Sequence, residues 1–289
     1  MQTNPIYFTR TRIAPTPSGY LHLGNALSFA LTAALARKSG AKILLRIDDL
    51  DQQRVNLNYL QDIFDTLRFL NIPWDEGPRD LNDYNAGWSQ LHRMELYKEA
   101  LEQLADQREI FACQCSRAQL QDGIYPGSCR NRSIPLDTPD IAWRLYTDEK
   151  ELVIKALNKG IIKARLADNL KDFVVKKKDD FPSYQLASLI DDLHFGVDLV
   201  VRGKDLYPST IAQHYLAEVL QQDSFKDITF HHHPLLMAGG DKKLSKSAGA
   251  TSIKYLRDEG KSAGDVYGEI GRMLGIEGLQ NFEHFVNLV

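Results

Sequence analysis

Apolar residues recur at Leu23, Ala26, Leu27, Ala30, Leu31, Ala34 and Leu35, three and four positions apart, and the pattern stops at Gly40. That is the period of a buried helix face closed by a glycine, so a helix is expected to begin near Leu23. Just before it a short apolar strand around Ile13 runs through Pro15, Pro17 and Gly19, a strand-turn-helix unit. A second strand is expected at 43–47, followed by amphipathic helices at 57–70 and 91–104. Strand patterns at 141–146, from Phe173 onward and at 198–201, a helix at 210–220 and a polar, helical tail from Thr251 complete the series. Strands alternating with helices predict an α/β fold on a parallel, doubly wound sheet. Four segments result: 1–105 and 171–250 as the halves of a nucleotide-binding domain, 106–170 as an irregular insertion, and 251–289 as a short helical C-terminal segment.

Chemistry concentrates where that strand meets the first helix. His22, Gly24 and Asn25 fall in the first helical turn, where free backbone N–H groups and the positive end of the helix dipole favour anions. Gly24 has no side chain, so a nucleotide can approach the backbone closely. A second polar loop, at 238–249, has glycines at both ends and Lys242, Lys243 and Lys246 at its centre, with Leu244, Ser245 and Ser247 between them. When a carboxylate attacks the α-phosphate of ATP, charge builds on the departing pyrophosphate, and an ammonium at Lys243 or Lys246 is suited to stabilise it. By contrast His231, His232 and His233 are consecutive, and on a strand their side chains alternate between faces and cannot converge on a metal.

The three cysteines, Cys113, Cys115 and Cys129, lie close together in the insertion. Cysteines one residue apart rarely bridge without strain, and an odd, clustered set with no secretory signal argues against a disulfide framework. Metal binding is the better account, and zinc takes four ligands. Three thiolates leave one position, for which Tyr125, a water or a distant histidine such as His92 are candidates. Three reduced thiols without metal are the plain alternative.

The two loops resemble the ATP-handling signatures of class I aminoacyl-tRNA synthetases. The segment 12–24, the strand end 45–51, the segment 180–187 and the segment 198–206 resemble glutamyl-tRNA synthetases in order and spacing. The resemblance implies a Rossmann-like class I catalytic domain that uses ATP with Mg²⁺ and binds L-glutamate. It assigns glutamate to Arg12, Ala14, Thr16, Asp48, Tyr184 and Arg202, ATP to His22, Gly24, Asn25 and Lys246, and catalysis to His22, Asn25, Lys243 and Lys246. The chemistry agrees: Arg12 and Arg202 suit carboxylates, Asp48 the ammonium, and Tyr184 can donate at the pocket wall. One departure is Asp48, where the family usually carries the longer glutamate. Cys-x-Cys followed by Tyr-x-x-x-Cys further resembles the structural zinc site of the glutamyl-Q branch, which implies Cys113, Cys115, Tyr125 and Cys129 as ligands. Members of that branch attach glutamate to the queuosine base in the anticodon of tRNA(Asp), and they lack the anticodon-reading helical domain of the larger enzymes, for which the residues after the lysine loop leave no room. The rival readings are a truncated glutamyl-tRNA synthetase charging a 3′ end and a non-catalytic RNA-binding paralogue.

Charge refines the picture. Lysine and arginine number 35 against 38 aspartates and glutamates, so RNA contact is expected through local clusters at 37–38, 130–132, 176–178 and 242–243. Trp74, Tyr207 and Tyr20 are candidate stacking surfaces for bases. No run of eighteen apolar residues is present, so no membrane span is expected; a cytoplasmic enzyme acting on RNA and not on DNA is.

Overall fold

The computed structural model describes residues 7–120, 123–238, 242–243 and 252–289. Its elements in chain order are β1 (Arg10–Ile13), α1 (Leu23–Ser39), β2 (Lys42–Leu45), α2 (Leu57–Phe69), the one-turn α3 (Leu81–Asp83), α4 (Met94–Asp106) and β3 (Ile110–Cys113). There follow β4 (Ala142–Leu145), β5 (Leu152–Ala156), β6 (Gly160–Ala164), β7 (Val174–Lys176), α5 (Tyr184–His194), β8 (Leu199–Gly203) and α6 (Tyr207–Val219). The series closes with β9 (Thr229–His233), β10 (Met237–Ala238), β11 (Lys242–Lys243), α7 (Ile253–Asp258), α8 (Ala263–Leu274) and α9 (Phe282–Leu288). The chain divides into two compact units, one of Met1–His92, Val197–Lys204 and His231–Val289, the other of Arg93–Gly196 and Asp205–Phe230.

In the first unit β1 runs parallel to β2, with Arg10 opposite Lys42 and Ile13 opposite Leu45. On its other edge β1 runs parallel to β8, with Thr11 opposite Leu199. The chain therefore leaves β1 for neighbours on opposite sides, and doubly wound sheets bind ligands beyond the C-terminal ends of strands at such a switch point. The parallel, doubly wound arrangement expected from the alternation of elements is present here.

Helix α1 starts and stops where the periodicity puts it. His22 caps its N-terminus, and Gly40, at φ 76°, closes the other end in the left-handed conformation that glycine adopts without strain. One expectation needs correcting, because the apolar pattern suggested a single buried face. Phe29, Ala33 and Ala36 are buried along with Ala26, Ala30 and Ala34. The helix packs on β1, β2 and β8 and also on α8 and α9, and a helix covered on several sides is apolar all round. The C-terminal segment thus acts as the second cover of α1.

Gly77 is held at φ 103° beside β2, where Leu45 N–H donates to Glu76 O at 2.9 Å. An added Cβ would run into the Leu45 carbonyl oxygen. Gly77→Ala is therefore expected to destabilise the protein by about 1–3 kcal/mol or more, through strain at this φ and the backbone clash together. An unchanged urea midpoint would refute this.

The second unit corrects the irregular insertion expected at 106–170. That stretch holds β3 and β4, which pair antiparallel with each other and extend to β7, and the antiparallel hairpin β5–β6. Strand β5 also runs parallel to the start of β9, with Lys155 opposite Thr229. A buried ion pair ties helices together here: Arg93, at the start of α4, meets Asp191 of α5 through Nε–Oδ1 at 2.8 Å and Nη2–Oδ2 at 3.2 Å. Tyr97 donates to the same Oδ1 at 2.7 Å. Burial alone would lower the Arg93 pKa, but the hydrogen bond and charge of Asp191 outweigh it and leave it raised. No helix among the described residues is long and apolar enough to cross a membrane.

Candidate active site and metal centre

The first motif forms a reciprocal cap. Gly24 N–H donates to His22 Nδ1 at 3.1 Å, while Asn25 Oδ1 accepts from His22 N–H at 3.0 Å. His22 and Asn25 thus hold each other at the mouth of a 17-residue helix, where the Asn25 and Ala26 N–H groups both donate back to His22 O, at 2.9 and 3.1 Å. An added Cβ on Gly24 would lie 3.0 Å from His22 Cε1, so the glycine also leaves room for the imidazole.

Of the residues expected to bind glutamate, Arg12, Ala14, Thr16, Asp48 and Arg202 fall in the first unit with His22. Arg12 on β1 and Arg202 on β8 are buried on adjacent strands, and Arg12 Nη1 donates to Val201 O at 3.4 Å. Beyond β2 the chain runs along the β1 turn: Arg46 N–H donates to Ile13 O and Asp48 N–H to Pro15 O, both at 2.9 Å. Ala14, half-buried, and Thr16, exposed, therefore lie beside Asp48. Tyr184 opens α5 in the second unit, where it is 42% exposed.

Asp48 has a partner that the motif did not reveal. Arg46, buried to 2% exposure, grips it bidentately, with Nε–Oδ1 at 2.7 Å and Nη2–Oδ2 at 3.1 Å. The signal was present in the sequence, since residues i and i+2 of an extended chain share a face. A carboxylate offers about four lone-pair sites, so this grip orients Asp48 and leaves acceptor capacity for a substrate amine. The neighbouring Asp49 is fully buried and accepts from the Tyr84 and Ser89 hydroxyls, both at 2.5 Å, and from Gln90 N–H at 2.8 Å. It fixes the loop that carries Asp48.

The second motif is only partly visible. Strands β10 and β11 pair antiparallel, Met237 opposite Lys243, which places the Lys243 backbone in a hairpin. Lys246 lies outside the described residues. The chain is described again at Ser252, which bridges antiparallel to His22, and Ile253 N–H donates to Leu21 O at 2.7 Å. The chain that follows the second motif, from Ser252, is thus joined by backbone contacts to the first motif at the head of α1. Arg257 of α7 adds an ion pair to the buried Asp62 of α2 at 2.5 Å.

The three cysteines converge in the second unit: their sulfurs lie within 4.8 Å of one another, and Cys115 and Cys129 are 3.7 Å apart. All three are free thiols. Tetrahedral zinc with Zn–S bonds of about 2.3 Å sets sulfurs about 3.8 Å apart, so this spacing suits a metal. Among the described residues this is the group of cysteine, histidine and acidic side chains that could hold one. Cys129 N–H donates to the Tyr125 hydroxyl at 2.8 Å, which brings the phenol to the cluster. His92, the distant alternative, has Nε2 3.1 Å from Asn85 O in the first unit. Burial pushes the Cys115 thiol up to about 11, and raises the Tyr125 phenol as well. Burial also opposes the Cys129 thiolate, but hydrogen bonds from the Gln114 backbone and the neighbouring thiols outweigh it, so its pKa is lowered. A divalent cation would displace the protons that these groups share.

Several basic clusters are occupied within the protein. Arg37 meets Glu283 at 2.6 Å, and Lys176, which ends β7, lies 4.5 Å over the Trp143 ring while pairing with Asp180. Of the aromatic candidates, Trp74 is tied to Pro78 O at 3.1 Å, and Tyr207 is the first residue of α6. Tyr20 is 38% exposed, edge-on to Tyr59 at 4.8 Å.

A capped helix that follows a parallel strand, with buried arginines on that strand and its neighbour, accords with a class I synthetase catalytic domain. Residues 9–126 and 140–283 match the family of class I tRNA synthetases (E and Q), catalytic domain, and the chain belongs to that family. It is 34% identical, over 92% of its length and 86% of the relative's, to a glutamyl-Q tRNA(Asp) synthetase of Symbiobacterium thermophilum. A protein of the same name from Synechococcus is 36% identical over 90% of the chain and 81% of the relative. A glutamate–tRNA ligase of Anaeromyxobacter is 32% identical over 87% of the chain, which spans about half, 54%, of that relative's length. The solved glutamate–tRNA synthetase of Elizabethkingia anophelis shares the fold with a TM-score of 0.77 at 22% identity, covering 96% of this chain and 65% of that one.

Proposed function

We propose that this chain is an ATP-dependent ligase that activates L-glutamate as glutamyl-adenylate and transfers it to the queuosine base in the anticodon of tRNA(Asp). The observation that carries the reading is the match to glutamyl-Q tRNA(Asp) synthetases over more than four fifths of their length. The three-thiol cluster with the Tyr125 hydroxyl at its edge supports it.

In this reading Arg12 and Arg202 hold the carboxylates of glutamate, and Asp48, oriented by Arg46, accepts the ammonium, with Ala14 and Thr16 lining the floor and Tyr184 donating at the wall. The glutamate carboxylate attacks the α-phosphate of ATP, which forms the acyl–phosphate bond as the bond to pyrophosphate breaks. His22 and Asn25, at the head of α1, stabilise charge on the phosphates, with Gly24 leaving room for the nucleotide, and Lys243 and Lys246 serve the leaving pyrophosphate. Mg²⁺ bound with ATP would supply further neutralisation of the phosphate charge. Cys113, Cys115, Tyr125 and Cys129 hold a structural zinc with no open position. An RNA substrate of this kind places the enzyme in the cytoplasm.

The test is transfer of labelled glutamate to tRNA(Asp) bearing queuosine, to the same RNA with unmodified guanosine, and to tRNA(Glu). Label on the queuosine sample alone is expected. Label on tRNA(Glu) alone would make the chain a 3′-end-charging glutamate–tRNA ligase, and label on none would favour a binding role.

A further inference from the structure

Arg144 poses a problem that the cysteine cluster answers. It stands on β4, is only 8% exposed, and its guanidinium carbon lies 3.9 Å from the centroid of the Tyr125 ring. Its one hydrogen bond goes to a neutral group, Nη1 to Asp172 O at 2.7 Å, while Nε is buried without a partner among the described residues. The nearby carboxylate of Asp172 serves others: it pairs with Arg130 and accepts from Thr147 N–H at 3.0 Å. Arg130 in turn lies 5.0 Å over the Tyr146 ring. Among the described residues Arg144 therefore has no carboxylate to balance it, and a buried charge without a counter-charge is costly.

The metal centre supplies the missing anion. Three thiolates and a phenolate around Zn²⁺ carry a formal charge of minus two, in a pocket whose Cys113, Tyr125 and Cys129 are all buried. We propose that Arg144 is the positioning residue of this centre: stacked on the Tyr125 ring, it is the counter-ion of the loaded site and holds the phenol oxygen against the metal. The inference rests on the reading that these four residues bind zinc. A cation against an aromatic face is attractive within about 6 Å, and the attraction grows when the ring bears negative charge. Partners beyond the ligands commonly account for about 10–100-fold in metal affinity.

The experiment compares zinc release from the whole purified protein to a chromogenic chelator, with stoichiometry by atomic emission and the thiolate bands of the Co²⁺-substituted form as a second readout. Arg144→Met is expected to release zinc about 10–100-fold faster than the parent and to shift the Co²⁺ spectrum. Arg144→Lys, which keeps the charge, is expected to recover part of the loss. In a Tyr125→Phe background, where the ring remains but the oxygen is gone, Arg144→Met should add less than about threefold. Release unchanged in Arg144→Met, or the full acceleration persisting in the Tyr125→Phe background, would overturn the proposal. If Arg144→Met does not fold, Arg144→Lys against Arg144→Gln makes the same comparison, and equal release rates overturn it. A parent protein that takes up no zinc would refute the metal reading itself.

Discussion

Replacing His22 by alanine is expected to slow glutamate-dependent exchange of pyrophosphate into ATP by about a hundredfold to a thousandfold, the range typical of losing one transition-state donor. The geometry says why the ring itself matters. Its Nδ1 accepts from Gly24 N–H, so the neutral imidazole carries its proton on Nε2 and can donate to a phosphate oxygen. The same substitution removes half of a capping box, which costs about 1 kcal/mol, small beside the stability of a protein this size. Near-native unfolding with collapsed exchange is the expected pair of results. Exchange at the parent rate would sink the assignment of His22 to the phosphates.

The largest effect on stability is expected from Arg93→Met. The ion pair with Asp191 is almost completely dry, with side-chain exposures of 7% and 0%. Removing the cation leaves a buried carboxylate, to which Tyr97 still donates, and breaking one side of such a pair typically costs about 3–5 kcal/mol. Arg93 also lies 5.1 Å from the Phe195 ring centroid, a contact that methionine replaces with packing alone. Thermal unfolding should fall by roughly 10 °C for a protein of this length. The double change Arg93→Met with Asp191→Leu should recover much of the loss, because it removes both charges. A single-variant loss under about 1 kcal/mol would show that the pair is solvated in solution.

Legibility from sequence followed locality. Helix α1 could be placed from its period and Gly40, because cap, periodicity and stop signal all lie within the helix itself. In the second unit β4 and β7 fall where strand patterns were expected, but β3, β5 and β6 lie in a stretch expected to be irregular. β3 has four residues, all buried, so it shows no alternation, and β5 and β6 meet in a tight turn marked only by Asn158 and Gly160, at φ 62° and 68°. The cysteine cluster was visible because ligand chemistry is readable from residue type. Arg144 was not, since its place over Tyr125 depends on pairing between β3 and β4 that no local pattern encodes. Arg46 is legible in part, because residues two apart on an extended chain share a face, although no local pattern shows that it grips Asp48.

The first unit is assembled from three separated stretches, and this has a cost during synthesis. Thr11 hydrogen-bonds Leu199 O across 188 residues, so at about 5–20 residues per second β1 waits roughly 10–40 s on the ribosome before its second neighbour exists. Helix α1 waits longer, until α8 and α9 have emerged to cover it. Throughout that interval a bare strand edge and an apolar helix face are open to other nascent chains. The second unit, interrupted only by Val197–Lys204, can close while translation continues, so aggregation during expression should begin in the N-terminal stretch and be the part that chaperones relieve.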